Sequence, residues 1–246
     1  MKKSKFRVKK IFLPFLPLFF TVGWISCNHT KNAETSSSEL VYKDTAFVQE
    51  VHDAFKISDQ ASDNEVRSIA VDHESTIWIA TASGVFCKKS GTRVWEPVIT
   101  GDDRGPAYSV GVIQNGDVLL GTWDGLYRYT HHELKKETGI EAPVSVICKD
   151  SIGAYAMGPN GIWRILDQTW VKQEYNTSRA IRDAVVDKDR SLWIATDAGL
   201  YQCLGGKLTL FQDVSELISC YAKALSVDPA GKLWVGVMGG VSFRDK

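Results

Sequence analysis

The sequence predicts an all-β fold, a five-bladed β-propeller in which each blade is a four-stranded antiparallel sheet. Two observations carry the prediction. One glycine recurs at intervals of 41, 36, 38 and 41 residues, and a large side chain lies six residues before each copy. The glycines are Gly84, Gly125, Gly161, Gly199 and Gly240, and the large side chains are Trp78, Leu119, Tyr155, Trp193 and Trp234. A repeat of about 40 residues that holds several short strands is typical of propeller blades.

Each repeat has the pattern of strands joined by tight turns. An apolar run such as 66–71 (VRSIAV) and a second such as 77–81 (IWIAT) are rich in β-branched and aromatic residues. The recurring glycine ends the turn that follows, where it supplies the positive φ of a tight hairpin. Fourth strands are predicted at 93–98, 133–137, 170–174 and 208–212. The predicted blade cores lie near 66–100, 107–138, 143–175, 181–213 and 222–246, the last completed by 45–51.

The two ends of the repeat array predict how the ring closes. The fifth repeat stops after its third strand, and 47–51 (FVQEV) has the pattern of a fourth strand. Pairing of this N-terminal strand with the last blade would leave no open sheet edge. The run 40–42 (LVY) is a further candidate strand, so two N-terminal strands at the seam are an alternative. The predicted propeller domain spans 40–246.

Two recurrent side chains have structural interpretations. Aspartates stand at the starts of three turns, six residues before the tryptophans, where a carboxylate caps backbone N–H groups. They are Asp72, Asp187 and Asp228. The tryptophan rings are predicted to fill the space between neighbouring blades.

The first 27 residues have the pattern of an export signal. Residues 1–10 are basic, and 11–26 are an apolar run shorter than the roughly 20 residues that span a bilayer. Residues 24–27 (WISC) resemble a bacterial lipobox, which predicts lipidation of Cys27 and a lipid anchor as the only membrane attachment. Cleavage without lipidation, giving a secreted protein, is the alternative. The polar stretch 28–39 is predicted to be a flexible tether.

The charge balance argues against a nucleic-acid partner. Six of the 29 basic residues lie in the first 26 positions, so the rest of the chain carries 23 basic and 29 acidic residues. An acidic domain is poorly suited to binding phosphate backbones.

The cysteines beyond the leader do not predict a metal site. They are Cys87, Cys148, Cys203 and Cys220, and no two of them have Cys-x-x-Cys spacing. In an oxidising compartment they could form bridges, and their pairing stays open. We expect small buried residues in strands, with one bridge as an alternative.

No catalytic motif, metal site or cofactor site is predicted. The sequence lacks the nucleophile elbow, zinc-helix, phosphate-loop and dinucleotide patterns. The five histidines are His29, His52, His73, His131 and His132. The adjacent pair lies in a hairpin of the second repeat, and neighbours on a strand would point to opposite faces.

The residues that break the repeat predict a ligand site instead. Arg67, Tyr108, Arg182 and Lys223 occupy equivalent positions at the starts of the innermost strands, where Val144 stands in the third repeat. Nearby hairpin turns contribute Trp123, Asp124, Asn160 and Asp197, and the loop 101–105 precedes the second repeat. Cations and aromatic rings around one mouth could hold an anionic or sugar-like ligand. The alternative is a solvated rim whose arginines pair with local acids.

Three repeats resemble the two-component regulator propeller family. The segments 76–86 (TIWIATASGVF), 191–201 (SLWIATDAGLY) and 232–236 (KLWVG) match its core pattern, and the resemblance covers about 66–246. The second and third repeats depart from it at Leu119 and Tyr155. In that family such propellers form extracytoplasmic sensors of membrane receptors, often for glycan fragments. The resemblance implies at most a stand-alone relative of the sensor part, and signalling output is not carried over from the family.

Three functions follow as hypotheses. The first is an extracytoplasmic, sensor-like module that binds a small ligand or glycan. The second is a scaffold that contacts another protein of the bacterial envelope. The third is a metal-dependent propeller lyase of the streptogramin-inactivating type, which the absence of a suitable histidine set in the sequence disfavours.

Overall fold

The computed structural model describes residues 6–9, 55–100, 105–166, 168–175, 177, 179–211 and 221–244. All of these residues belong to one compact unit. The described strands are β1 (Phe6–Lys9), β2 (Val66–Val71), β3 (Ile77–Thr81), β4 (Gly84–Lys88), β5 (Glu96–Thr100), β6 (Ala107–Val112), β7 (Val118–Thr122), β8 (Gly125–Thr130), β9 (Glu133–Lys136), β10 (Val146–Lys149), β11 (Ala154–Gly158), β12 (Gly161–Leu166), β13 (Thr169–Lys172), β14 (Ile181–Val186), β15 (Leu192–Thr196), β16 (Gly199–Leu204), β17 (Lys207–Leu210), β18 (Ala222–Val227), β19 (Leu233–Val237) and β20 (Gly240–Arg244).

The strands form five four-stranded antiparallel sheets. Blades one to four are β2–β5, β6–β9, β10–β13 and β14–β17, each paired in chain order. Blade five is β18–β20 with β1 at its outer edge. The inner strands of successive blades pack side by side, β2 on β6, β6 on β10, β10 on β14 and β14 on β18. The predicted five blades are confirmed.

The strand register places two sets of residues at the same end of each blade. In blade one, Val66 at the start of the inner strand pairs with Thr81, which pairs with Gly84 across the second hairpin turn. The inner-strand starts and the second turns therefore share one face of the array, which we call the entry face. The first turn of each blade and the third turn of blades one to four lie on the opposite face.

The glycine of the second turn is required by its surroundings. Gly84 has a φ of 147°, and a Cβ atom there would lie 1.9 Å from the carbonyl oxygen of Ile99. Gly125 has a φ of 140°, and its Cβ would lie 2.4 Å from the carbonyl oxygen of Ile140. The positive φ predicted for this position is confirmed.

Large apolar side chains fill the space between blades, as predicted. Trp78 and Val85 of blade one share a buried cluster with Val110 and Tyr127 of blade two. Trp193 is completely buried in a cluster that includes Val235 of blade five. The tryptophan of the repeat thus joins its own blade to the next.

The repeated aspartates cap turns as expected and also bind the tryptophans. Asp72 Oδ1 accepts hydrogen bonds from the backbone N–H groups of Glu74 and Thr76, both at 2.9 Å. Its other oxygen accepts the indole N–H of Trp78 at 2.8 Å. The same indole bond joins Trp193 to Asp187 and Trp234 to Asp228.

Blades two and three replace this pair with an arginine. Arg128 faces Leu119 across β7 and β8, and its guanidinium donates to Asp117 at 2.9 Å and to Glu137. Arg164 faces Tyr155 and donates to Asp150 at 3.1 Å. In the repeats that lack tryptophan, the third-strand residue that pairs with the tryptophan position is an arginine. Its guanidinium donates the hydrogen bond to a carboxylate in place of the indole.

Acid should weaken the Arg128 cluster. Burial raises the pKa of Asp117, but hydrogen bonds from Thr130, Asn115 and Arg128 outweigh burial and hold the net pKa below its usual value. Because the unfolded chain has the higher pKa, this contribution to stability is complete above about pH 4 and is lost as pH falls through the folded-state pKa. We expect the urea midpoint to fall more steeply on acidification in the wild-type chain than in Asp117→Asn. Equal slopes in circular dichroism titrations would contradict this.

The two ends of the blade array are exposed. On β2, Val66, Ile69 and Val71 are 49%, 65% and 57% exposed. Their register equivalents in blade two are Ala107, Val110 and Val112, which face blade one and are at most 6% exposed. We call the three β2 residues the leading row.

Blade five has a matching exposed surface on its other side. Val241 is 41% exposed, whereas its equivalents in the other four blades are completely buried. Those equivalents are Val85, Leu126, Ile162 and Leu200. Ala224 and Ser226, on the same side of blade five as Val241, are also exposed, and we call these three residues the trailing row.

Ring closure is not confirmed. Within the part of the chain that the structure describes, no packing of β18 on β2 matches the packing between the other inner strands.

A different segment occupies the place predicted for the closing strand. Phe6–Lys9 pairs antiparallel with β20 and completes the fifth sheet. The predicted 45–51 lies outside the described residues, as do 40–42 and Cys27. The sequence FRVK alternates β-favouring and basic residues, and the outer edge of β20 offers it unpaired backbone groups.

The described cysteines are buried in strands and unpaired. They are Cys87, Cys148 and Cys203. Burial raises the pKa of the Cys148 thiol to about 12. Cys220 lies outside the described residues. Among the described residues, there is no helix long and apolar enough to cross a membrane.

Candidate functional site

The entry face carries an arginine–tyrosine pair where blades one and two meet. The Arg67 guanidinium lies 5.2 Å from the ring centroid of Tyr108, a distance suited to a cation–π contact. It also donates to Glu65 at 3.0 Å. Two predicted site residues, Arg67 and Tyr108, therefore lie together. The ion pair of Arg67 with Glu65 is the kind of local pairing expected under the alternative interpretation, a solvated rim.

A second cluster of the same kind lies where blades four and five meet. Arg182 and Lys223 lie 5.7 and 5.6 Å from the ring centroid of Tyr221. Both cationic residues are exposed and Tyr221 is half-buried. Tyr221 was not among the predicted site residues, although its position directly before the inner strand of a repeat was a signal for it.

Trp123 presents an aromatic surface on the same face. Its backbone N–H donates to the carbonyl of Pro106 at 3.0 Å, which fixes the turn, while its side chain is 58% exposed. Gly105 lies against the Trp123 side chain. An exposed, anchored indole is suited to stacking on a sugar ring or a planar group.

Asp124 was predicted to contact a ligand, and the structure gives it a structural role. Its carboxylate accepts hydrogen bonds from Thr122 at 2.7 Å, Tyr127 at 2.8 Å and Lys136 at 3.0 Å. Burial raises the pKa of Asp124, but these three bonds outweigh it and lower the net pKa. Its partners lie on strands whose register the sequence alone does not show, and the predicted ligand contact of Asp124 stays a prediction.

Asp197 differs from Asp124. It occupies the second turn of blade four, and its Oδ1 atom is buried without a hydrogen-bond partner in the described structure. Val144 is buried and Asn160 is exposed, and 101–104 lies outside the described residues.

The opposite face contains an open cavity of about 510 Å³ between blades one and two. Trp78, Tyr129, His73, His131 and His132 contribute to its wall. The adjacent histidines are not strand residues, because φ values of 47° and 65° place them at the centre of the β8–β9 turn. No group of three histidine, cysteine or acidic side chains positioned for a metal ion occurs among the described residues.

The entry face has the chemistry of a binding surface. It combines exposed cationic side chains, tyrosine rings beneath them and one exposed indole. Guanidinium groups donate paired hydrogen bonds to carboxylates and sugar hydroxyls, and rings provide apolar contact.

The two-component regulator propeller family model matches residues 60–83. The match lies in the first repeat, and the predicted resemblance to this family is confirmed. No curated protein sequence matches the chain.

Solved structures share the propeller fold. The extracellular domain of a protein described as a one-component system from B. thetaiotaomicron aligns with a TM-score of 0.64 at 18% identity over 73% of this chain. This chain spans only 27% of that protein. Virginiamycin B lyase from Staphylococcus aureus aligns with a TM-score of 0.60 at 14% identity, covering 71% of this chain and 64% of the lyase.

A third similar structure is PorZ, a bacterial surface component of the type-IX secretion system of Porphyromonas gingivalis. It aligns with a TM-score of 0.57 at 17% identity, covering 72% of this chain and 31% of PorZ. At these identities the likeness concerns the fold.

Proposed function

We propose that this chain, which carries a two-component regulator propeller repeat, is an extracytoplasmic module that binds an anionic or saccharide ligand on its entry face. The observation that carries the proposal is the pair of cation–tyrosine clusters on one face. Arg67 and Arg182 occupy equivalent positions of blades one and four, and each lies over a tyrosine ring at the junction with the following blade, Tyr108 and Tyr221 respectively.

The location rests on sequence and on relatives. The leader of 27 residues and the lipobox-like 24–27 favour export and a lipid anchor at Cys27 in the bacterial envelope. Cleavage before Cys27 would remove Phe6–Lys9 from the edge of the fifth sheet. Two similar structures are described as an extracellular domain and a surface component, which supports an envelope location.

A ligand should stabilise the folded chain. We expect one or more members of a panel of oligosaccharides and sugar acids to raise the melting temperature in a thermal-shift screen, because a ligand that binds only the folded state stabilises it by mass action. At a hundred times its Kd, the stabilisation is about 2.7 kcal/mol. Arg182→Ala and Trp123→Ala should each remove most of the shift.

The control distinguishes the entry face from general surface effects. Lys207→Ala and Leu204→Ala remove an exposed cation and an exposed apolar side chain of blade four, and both should retain the shift. A shift that persists in Arg182→Ala and Trp123→Ala would place binding elsewhere, the opposite cavity being next to test. A shift with divalent metals alone would instead favour the lyase hypothesis.

A scaffold is the second candidate function. Exposed apolar side chains on the outer hairpins of blades three and four favour it, because such side chains on a rim provide contact area for a partner. They are Leu166, Val171, Leu204 and Leu210. A silent ligand screen together with loss of an envelope partner in Val171→Glu would support the scaffold over ligand binding.

A further inference from the structure

The contact between successive blades is built in the same way at each internal interface. Residues on one side of an inner strand face the preceding blade, as Val110 and Val112 do in the cluster that joins blade two to blade one. The side of the preceding blade that faces this strand contributes residues such as Trp78 and Val85, which complete the cluster. Each blade therefore has one surface for its predecessor and a complementary one for its successor.

Polar contacts reinforce this register. The hydroxyl of Ser68 in blade one accepts the backbone N–H of Val110 in blade two at 3.2 Å. Asp183 in blade four accepts the backbone N–H of Leu225 in blade five at 2.7 Å. Ser68 and Asp183 are register equivalents, as are Val110 and Leu225, so one geometry is repeated along the array.

The two end blades keep these surfaces uncovered. The leading row matches, in residue type and register, the inner-strand residues that contact the preceding blade at internal interfaces. Ile69 is 65% exposed, whereas its equivalent Val110 in blade two is 6% exposed. The trailing row has those of a surface for a following blade, and Val241 is 41% exposed where Val85 is completely buried. Apolar positions that are buried at internal interfaces are thus left in solvent at both ends.

We propose that two copies of this chain associate head to tail, with the trailing row of one copy packed on the leading row of the other. The partner surface is specified by continuity, because blade five of one copy offers blade one of the next the surface that internal blades offer their successors. Burial of exposed aliphatic side chains supplies the driving force. The interface joins two different surfaces, so each copy retains one free end or closes a symmetric ring with its partner.

The test uses the full 246-residue chain in a non-ionic detergent, which shields the apolar leader. In sedimentation velocity across the micromolar range, the wild-type chain should associate reversibly. Ile69→Glu and Val241→Glu should each weaken association by about a hundredfold or more, because a carboxylate would be buried against apolar side chains without a partner.

Mixing the two variants gives the decisive result. Ile69→Glu blocks only the leading row and Val241→Glu only the trailing row, so an equimolar mixture has one intact pair of surfaces and should form a heterodimer. Ile152→Glu is the matched control, since Ile152 is 61% exposed in a turn of blade three, away from both rows. It should associate like the wild-type chain.

Three outcomes would overturn the proposal. A wild-type chain that sediments as a monomer at all concentrations would show that the ends close on each other or are covered by another part of the chain. Variants that associate like the wild-type chain would place the contact elsewhere. A mixture that stays monomeric would exclude pairing of the two rows.

Discussion

Trp193→Ala should lower the free energy of unfolding by about 3–5 kcal/mol, the range for truncating a buried tryptophan. The indole is completely buried and packs in the cluster that joins blades four and five. Its N–H donates to Asp187 at 2.8 Å, so truncation also removes the donor from a turn carboxylate. Phe211, 5.7 Å from the Trp193 ring centroid, would face the resulting cavity.

Urea unfolding followed by circular dichroism measures this loss. Trp123→Ala is the matched control, because Trp123 is 58% exposed and its truncation should change stability by about 0.5 kcal/mol or less. Similar losses in the two variants would refute the role given to Trp193 as the wedge between blades. Trp193→Phe keeps much of the packing and should recover part of the stability.

Arg128→Met should be comparably damaging, at about 3–5 kcal/mol, because it leaves two carboxylates without their buried cation. The side chains of Arg128, Asp117 and Glu137 are 11%, 12% and 16% exposed. Burial lowers the pKa of Arg128, but its hydrogen bonds to the two acids outweigh this effect and raise the net pKa. The cation therefore stays charged, and its removal exposes the acids to mutual repulsion.

Neutralising the whole cluster separates loss of a partner from loss of packing. The triple variant Arg128→Met, Asp117→Asn, Glu137→Gln should recover more than half of the loss, since replacement of a complete buried ionic group is often close to neutral. Lys135→Met removes the cation of an exposed pair with Glu133 and should leave the urea midpoint close to that of the wild-type chain. A triple variant no more stable than Arg128→Met would show that the loss is one of packing.

The periodic parts of the fold could be predicted from the sequence, and the local pairings could not. The recurring glycine and tryptophan mark the second turn and the second strand, because their roles follow from backbone conformation and ring size. The fourth strands were placed within a few residues, as 170–174 was predicted where Thr169–Lys172 is observed. These elements depend on short-range pattern alone.

The residues of the candidate site are brought together by contacts that their spacing in the sequence does not reveal. The bond between Asp124 and Lys136 could not be predicted, because Lys136 lies twelve residues away on a strand that register brings alongside Asp124. Tyr221 was missed because its value as a platform for Arg182 depends on the packing of two blades. Pairing of Phe6–Lys9 with β20 was not foreseen because any short β-favouring segment can compete for an open edge.

The exchange of tryptophan for arginine between blades has a consequence for how such repeats diverge. In blade one the indole of Trp78, on the second strand, donates to a turn carboxylate. In blade three the guanidinium of Arg164, on the third strand, does the same. Within any one blade these two positions face each other across the second and third strands. An ancestral blade could therefore acquire the arginine while the indole was still present and lose the indole afterwards, with a donor available at every step. Each blade can drift along this route on its own, so copies of one ancestral unit can lose their sequence signature while their geometry is retained.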